Sequence, residues 1–302
     1  MRIRKLGVVG AGTMGSGIAA LAASAGVPVV MLDVPTAGKD RNAVARGGLE
    51  RAKKSKPAAF MDVDRAALIE IGNTDDDLER LAGCDLVIEA IIEQVEPKRA
   101  LYERLEKVLP EHAVIASNTS GIPMQMLTKG RSASFRSRFL GMHFFNPPRY
   151  LHLLEVIPTP ETSPAVTQTA RQFSDRLLGK GIVAAKDVPG FVANRLGVYG
   201  MVLAIRLMEQ HGLTIDEADV LTGVLTGRSK SATFRTADLS GIDVIAHVTK
   251  GLSDTTGEDF TLSAWVVELV KAGRVGEKSG AGFYKRVGKE IQTLDWRTGE
   301  YK

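Results

Sequence analysis

Two short runs near the middle of the chain hold a histidine and a glutamate at a spacing that lets them work as a pair. Gly141-Met-His143-Phe-Phe-Asn146-Pro-Pro148 is followed closely by Leu151-His-Leu-Leu-Glu155-Val-Ile157. If the two runs fold back antiparallel about Arg149, His143 and Glu155 fall opposite each other. Directly opposed side chains on one face of a strand pair lie within hydrogen-bonding reach. A carboxylate that fixes the tautomer of an imidazole and stabilises its protonated form makes the histidine a good general base. Such a base suits the removal of a hydroxyl proton while hydride leaves for an acceptor. A histidine beside a glutamate can also be a satisfied core pair, and what tips the balance lies at the start of the chain.

There, Gly10-Ala-Gly12-Thr13-Met14-Gly15 follows a short apolar run and opens an apolar helix. A GxGxxG string carries weight only in that setting, between strand and helix. The first glycine allows a tight turn, the second lets the backbone approach a pyrophosphate, and the third lets helix and strand pack closely. The N–H groups of the helix N-terminus then face the anion. Asp33 ends the next apolar run, where its carboxylate can bind ribose hydroxyls and repel a 2′-phosphate. NAD is therefore the expected cofactor, in preference to NADP. No metal is expected.

The elements that would position these groups read as follows. Apolar runs at residues 6–9, 29–32, 85–89 and 113–116 alternate with helical composition at 16–25 and 98–108. Short buried strands separated by helices imply a parallel sheet covered on both faces. Residues 40–73 read as a helical insertion rich in Arg, Lys and Ala between the second and third strands. Two strand-like runs, 139–145 and 151–157, are joined by Asn146-Pro-Pro148, which cannot continue a ladder. Beyond Asp187-Val-Pro-Gly190 the character is helical to the end. Residues 191–210 are apolar on more than one face, as in a core or subunit contact, and Thr214-Ile-Asp-Glu217 has capping-box spacing. The expected fold is α/β: a Rossmann-type doubly wound, mostly parallel sheet over 1–187, then an all-helical domain over 188–302 for substrate closure and subunit contact.

Composition narrows the function. The net charge of +4 is modest, and its basic residues are scattered except for Arg51-Ala-Lys53-Lys54-Ser-Lys56, so no nucleic-acid stripe is read. One cysteine, Cys84, excludes an internal disulfide and fits a reducing compartment. No apolar stretch approaches the roughly 20 residues that span a bilayer. A cytoplasmic protein without membrane or nucleic-acid partners is expected.

Taken together in order and spacing, these segments resemble the L-3-hydroxyacyl-CoA dehydrogenase family over nearly the whole chain. The motifs that carry the resemblance are Gly10-Ala-Gly-Thr-Met-Gly15, Leu86-Val-Ile-Glu-Ala90, Ser117-Asn-Thr-Ser120, His143-Phe-Phe-Asn-Pro147, Leu154-Glu-Val156, Asp187-Val-Pro-Gly-Phe191 and Asn194-Arg195. The resemblance implies His143 as catalytic base with Glu155 as its partner. It implies Ser120 and Asn194 at the substrate's hydroxyl or thioester oxygen, with Ser120 also near the cofactor. Glu93, Lys98 and Asn146 are implied as further nucleotide contacts, and Lys278 as a late lysine near the cofactor. Ser120 can instead cap the helix that follows, and Lys98 and Lys278 can be solvated surface charges. The 3′-phosphate and diphosphate of coenzyme A call for a basic surface; Lys53 and Lys56, in the insertion where the family binds this part of the ligand, are the candidates.

Two features depart from family members that act alone. Gly227-Arg-Ser-Lys-Ser-Ala-Thr-Phe-Arg235 stands where those members have a Pro-Met-Gly-Pro stretch, and residues 285–302 read as a polar tail with no packed element. Both features are closer to the dehydrogenase segment of a multifunctional β-oxidation chain. The expected partners are an acyl-CoA substrate and either a second copy in a homodimer or an attached enoyl-CoA hydratase domain. Two other readings stay open. One is a β-hydroxyacid dehydrogenase of a small free acid, a class that relies on a catalytic lysine rather than a His–Glu pair. The other is a non-catalytic NAD(H)-binding protein, which would need Gly10, Gly12 and Asp33 but not His143 with Glu155.

Overall fold

A computed structural model describes residues 2–302. The chain forms two compact units, the first ending at Phe191 and the second running from Val192 to Lys302. The sequence-based division at 187/188 falls slightly before this point.

Among the described residues, the first unit is built on one eight-stranded sheet. Its strands are β1 (Leu6–Val9), β2 (Val29–Asp33), β3 (Ile69–Asn73), β4 (Leu86–Glu89), β5 (Val114–Ser117), β6 (Phe139–Phe144), β7 (Leu153–Pro158) and β8 (Gly181–Ala184). They lie in the order β3-β2-β1-β4-β5-β6-β7-β8. The helices are α1 (Thr13–Ser24), α2 (Ala43–Lys54), α3 (Val95–Val108), α4 (Met124–Thr128), α5 (Ala133–Ser137) and α6 (Pro164–Arg176). Strands β1, β4 and β5 are buried at every residue, as uninterrupted apolar runs in a parallel sheet must be. Helix α1 is buried along residues 15–23, and its run of Gly, Ala and Ser lets it sit close on the sheet. The strand order reverses between β1 and β4, so a ligand crevice opens beyond the carboxyl ends of those two strands.

One expectation changes here. The segment 40–73 contains a strand of its own: β3 pairs in parallel with β2, from Val29↔Ile69 to Asp33↔Asn73. The run at 85–89 is therefore the fourth strand in sequence. Because β3 lies at the sheet edge, Glu70 can face water, and its Ile-Glu-Ile pattern lacks the continuous apolar signal of the central strands.

The second unit contains α7 (Ala193–Gln210), α8 (Ile215–Thr222), α9 (Phe234–Ser240), α10 (Ile242–Thr256) and α11 (Ala264–Lys271). The capping box at the start of α8 is formed, with Thr214 accepting from the Glu217 backbone and Glu217 accepting from the Thr214 backbone. The unit is not helical to its end. An antiparallel hairpin of β9 (Tyr284–Val287) and β10 (Glu290–Thr293) follows. The tail after it is packed: Leu294 is 2% exposed, Trp296 Nε1 donates to Leu213 O at 2.9 Å, and Tyr301 lies against the core. The expectation of a polar, unpacked tail fails because its few apolar residues fill the space around Phe283 and Trp265. Those two rings meet edge-on at 5.7 Å.

Candidate active site

The glycine loop joins β1 to α1. Gly10 has φ +107, a conformation L side chains rarely adopt, and a Cβ there would meet Ala90 O at 2.3 Å. A Cβ on Gly15 would strike Gly10 O at 1.8 Å, while one on Gly12 would meet nothing within 4 Å. Two of these glycines thus let the backbone fold on itself, and the third leaves open space where the α1 N-terminus begins. No side chain caps that helix, so its first N–H groups suit an external anion. The Asp33 carboxylate accepts from Ala11 N at 2.5 Å and from Val34 N at 2.7 Å, fixing the loop against the end of β2. A cavity of about 190 Å³ opens beside it between Val34, Ile91, Pro97 and Leu101, whose apolar walls suit a flat heteroaromatic ring. These residues fit NAD: an apolar slot, a carboxylate at the end of β2 and an uncapped helix end lie at the carboxyl edge of the sheet.

Strands β6 and β7 pair antiparallel, and the register sets His143 opposite Glu155. His143 Nδ1 lies 2.7 Å from Glu155 Oε2, with the two residues 4% and 0% exposed. Both sit inside a strand ladder, so backbone hydrogen bonds hold their separation. The imidazole also packs on Phe145 at 4.3 Å and Phe191 at 5.8 Å between ring centroids. With Nδ1 donating to the carboxylate, proton exchange falls to Nε2.

The loop after β5 is tied to the same strands. Asn118 Oδ1 accepts from Phe144 N at 2.9 Å, and Glu93 Oε1 accepts from Thr119 Oγ1 at 2.5 Å and from Ser120 N at 2.8 Å. Ser120 does not cap the next helix, because α4 starts at Met124 with Pro123 in the capping position. Lys98 is not the solvated surface charge that an amphipathic helix allows. It is 1% exposed, and its Nζ lies 2.5 Å from Glu89 Oε1 and 3.3 Å from Glu93 Oε2. It is held between these two carboxylates and is not solvated.

The basic insertion divides. Lys53 pairs with Glu50 at 2.8 Å on the exposed face of α2 and is not in the lining of the cavity at the end of that helix. Lys56 does: a cavity of about 350 Å³ lies between the end of α2, Ser16 of α1 and Asn146, with Arg51, Lys56 and Arg149 on its wall. Arg51 donates to Ala11 O at 3.1 Å, and Arg149 donates to Ala58 O at 2.9 Å and to Phe60 O. Neither arginine was singled out as a ligand-binding residue from sequence. Arg51 stood in the basic run, and Arg149 marked only the turn. In the second unit, Asn194 occupies the first turn of α7, and Lys278 pairs with Asp243 at 2.7 Å.

An eight-stranded doubly wound sheet with a nucleotide loop and a buried His–Glu pair defines an NAD-dependent dehydrogenase. Comparison with known proteins carries this further. Residues 5–188 match the family model for the 3-hydroxyacyl-CoA dehydrogenase NAD binding domain, and residues 190–286 match that for the 3-hydroxyacyl-CoA dehydrogenase C-terminal domain. The chain belongs to the 3-hydroxyacyl-CoA dehydrogenase family, a family of NAD-dependent oxidoreductases. A probable 3-hydroxyacyl-CoA dehydrogenase of Deinococcus radiodurans is 55% identical over 293 residues, covering 96% of this chain and 85% of that protein. A probable 3-hydroxyacyl-CoA dehydrogenase of Bacillus subtilis is 39% identical; the match covers 97% of this chain but only 40% of that protein. The solved (S)-3-hydroxybutyryl-CoA dehydrogenase of Ralstonia eutropha is 31% identical with a TM-score of 0.77, covering 93% of this chain and 98% of the other.

Proposed function

We propose that the chain interconverts (S)-3-hydroxyacyl-CoA and 3-oxoacyl-CoA with NAD⁺/NADH, as a step of acyl-CoA oxidation. The observation that carries this reading is the buried His143–Glu155 pair, placed by strand register in the same unit as a nucleotide loop. NAD, held on the loop after β1, supplies the hydride acceptor. His143 takes the hydroxyl proton at Nε2, and Glu155 holds the ring and stabilises the imidazolium that forms. In the reverse direction the same nitrogen returns the proton. Ser120 and Asn194 are assigned to the substrate's hydroxyl or thioester oxygen, and Glu93, Lys98 and Asn146 to the cofactor, with Glu93 at the nicotinamide end because it holds the Ser120 loop. The 3′-phosphate of coenzyme A is assigned to the cavity lined by Arg51, Lys56 and Arg149.

The assembly is assigned as a homodimer. Leu196, Tyr199, Leu203 and Leu207 lie on one face of α7 at helical spacing and are 40–66% exposed, a continuous apolar stripe that a second copy would cover. Light scattering on purified protein should give twice the chain mass; a monomer mass at micromolar concentration would refute the assignment. A reducing, cytoplasmic setting suits the single buried thiol, Cys84. Among the described residues, no helix is long and apolar enough to cross a membrane.

The test of the activity is consumption of NADH in the presence of acetoacetyl-CoA. Turnover with the thioester but not with free acetoacetate supports the reading. Turnover of the free acid alone would favour a β-hydroxyacid dehydrogenase, and cofactor binding without turnover a non-catalytic NAD(H) protein.

A further inference from the structure

A buried carboxylate that the proposed chemistry does not use stands at the carboxyl end of β4. Glu89 is fully buried, and four donors converge on it. Ile91 N and Lys98 Nζ reach Oε1 at 2.8 and 2.5 Å; Tyr102 Oη and Ser117 Oγ reach Oε2 at 2.5 and 2.7 Å. Four donors on two oxygens are the set an ionised carboxylate can accept. Tyr102 is likewise fully buried; desolvation and the neighbouring Glu89 charge raise its phenol well above the ordinary value, so it remains a donor. Among the described residues the cation of this network is Lys98, which is shared with Glu93. Glu93 in turn holds the backbone of Ser120 and the hydroxyl of Thr119.

Three charges therefore form one line, Glu89⁻–Lys98⁺–Glu93⁻, with a net charge of −1. Its inner end is sealed in the sheet, and only Glu93, with 46% of its side chain exposed, reaches outward. Burial gives such a pair little net stability, because desolvation largely offsets its attraction.

We infer that Glu89 is a positioning residue that sets the charge presented to the cofactor, so that the line favours the oxidised, cationic nicotinamide over the neutral reduced ring. This rests on the assignment of Glu93 to the nicotinamide end of the site. Without Glu89, Lys98 neutralises Glu93; with it, Lys98 is already balanced and Glu93 keeps its full charge. A unit charge felt through protein at an effective dielectric of about 20 changes affinity on the order of tenfold.

The test is the ratio of dissociation constants for NAD⁺ and NADH, measured by quenching of NADH fluorescence and by its displacement with NAD⁺. Glu89→Gln brings the line to neutral and should weaken NAD⁺ on the order of tenfold relative to NADH. Lys98→Met brings it to −2 and should move the ratio the other way. Glu89→Gln/Lys98→Met restores −1 and should restore the ratio. A purely structural role would shift both constants together and leave the ratio alone, which overturns the inference. So does a double variant that stays displaced. If Glu89→Gln does not fold, the opposite shift in Lys98→Met and the restored double variant still decide. Glu93→Gln separates the two layers of the argument. A ratio that moves at Glu93 but not at Glu89 refutes the role of Glu89. A ratio unmoved at both refutes the placement of Glu93 and the inference with it.

Discussion

At the scale of single residues, the dyad makes the sharpest claim. If His143 is the base, His143→Gln should lower kcat by roughly 10²–10⁴-fold and leave the dissociation constant of NADH unchanged. Glu155→Gln should also lower kcat, because an amide does not stabilise an imidazolium as a carboxylate does. Groups that act as a unit give non-additive losses. The double variant should therefore be scarcely slower than His143→Gln alone, and additive losses in that cycle would mean the two side chains work separately. Asp33 makes a second claim. If its carboxylate holds the ribose as proposed, it repels a 2′-phosphate, and catalytic efficiency with NAD should far exceed that with NADP. Asp33→Asn should narrow the gap, mainly by impairing NAD, since the wild-type carboxylate also holds Ala11 N. Equal efficiencies in the wild type would remove Asp33 as the discriminator.

At the scale of elements, the turn between β6 and β7 and the end of α2 form the cavity assigned to coenzyme A. Lys56→Ala should raise KM for acetoacetyl-CoA with kcat little changed, the pattern of lost uniform binding. With a dephospho-CoA thioester the same substitution should matter much less, and equal penalties on both substrates would place the 3′-phosphate elsewhere. Lys53→Ala, on the outer face, should change neither constant. Elements were unevenly legible in the sequence. Central strands announce themselves as unbroken apolar runs, and the β6–β7 register followed from two residues equidistant from Arg149. Strand β3 was missed because an edge strand needs to bury only one face. The burial of Lys98 was not legible because its surroundings in α3 look amphipathic, while the carboxylates that draw it inward lie outside that helix. Glu89 did leave a signal, a charged residue ending the apolar run Leu86-Val-Ile, but a local pattern does not name its four donors.

At the scale of the whole molecule, stability should carry a pH signature from the second unit. Asp238 is 2% exposed and accepts from Phe283 N and Tyr284 N, both at 2.8 Å, tying α9 to the start of the hairpin. Burial pushes its carboxyl up to about 6, against two opposing backbone hydrogen bonds. A carboxyl whose folded value is raised favours folding most while protonated, and that contribution is lost as pH rises through the folded value. The unfolding midpoint of the wild type relative to Asp238→Asn should therefore fall between about pH 4 and pH 7; a constant difference would show that burial does not govern this group. The packed tail adds a simpler test. Leu294→Ala should destabilise the second unit by roughly 2–5 kcal/mol, whereas an unpacked tail would tolerate it without change in thermal unfolding.

The antiparallel pairing of β6 and β7 has a consequence for how such an enzyme can diversify. A one-residue slip of β7 would turn Glu155 to the opposite face of the sheet, so the reacting pair is locked by the ladder. The connecting turn, residues 145–152, lies outside that ladder, and its residues 146–149 line the cavity proposed for the substrate's handle. Insertions there can reshape which handle is accepted while the His143–Glu155 geometry stays fixed. Chemistry and grip are thereby separable within a single hairpin, and a library that randomises the turn but spares Phe145, packed on the imidazole, and Asn146, assigned to the cofactor, explores new substrates while the reacting pair is kept.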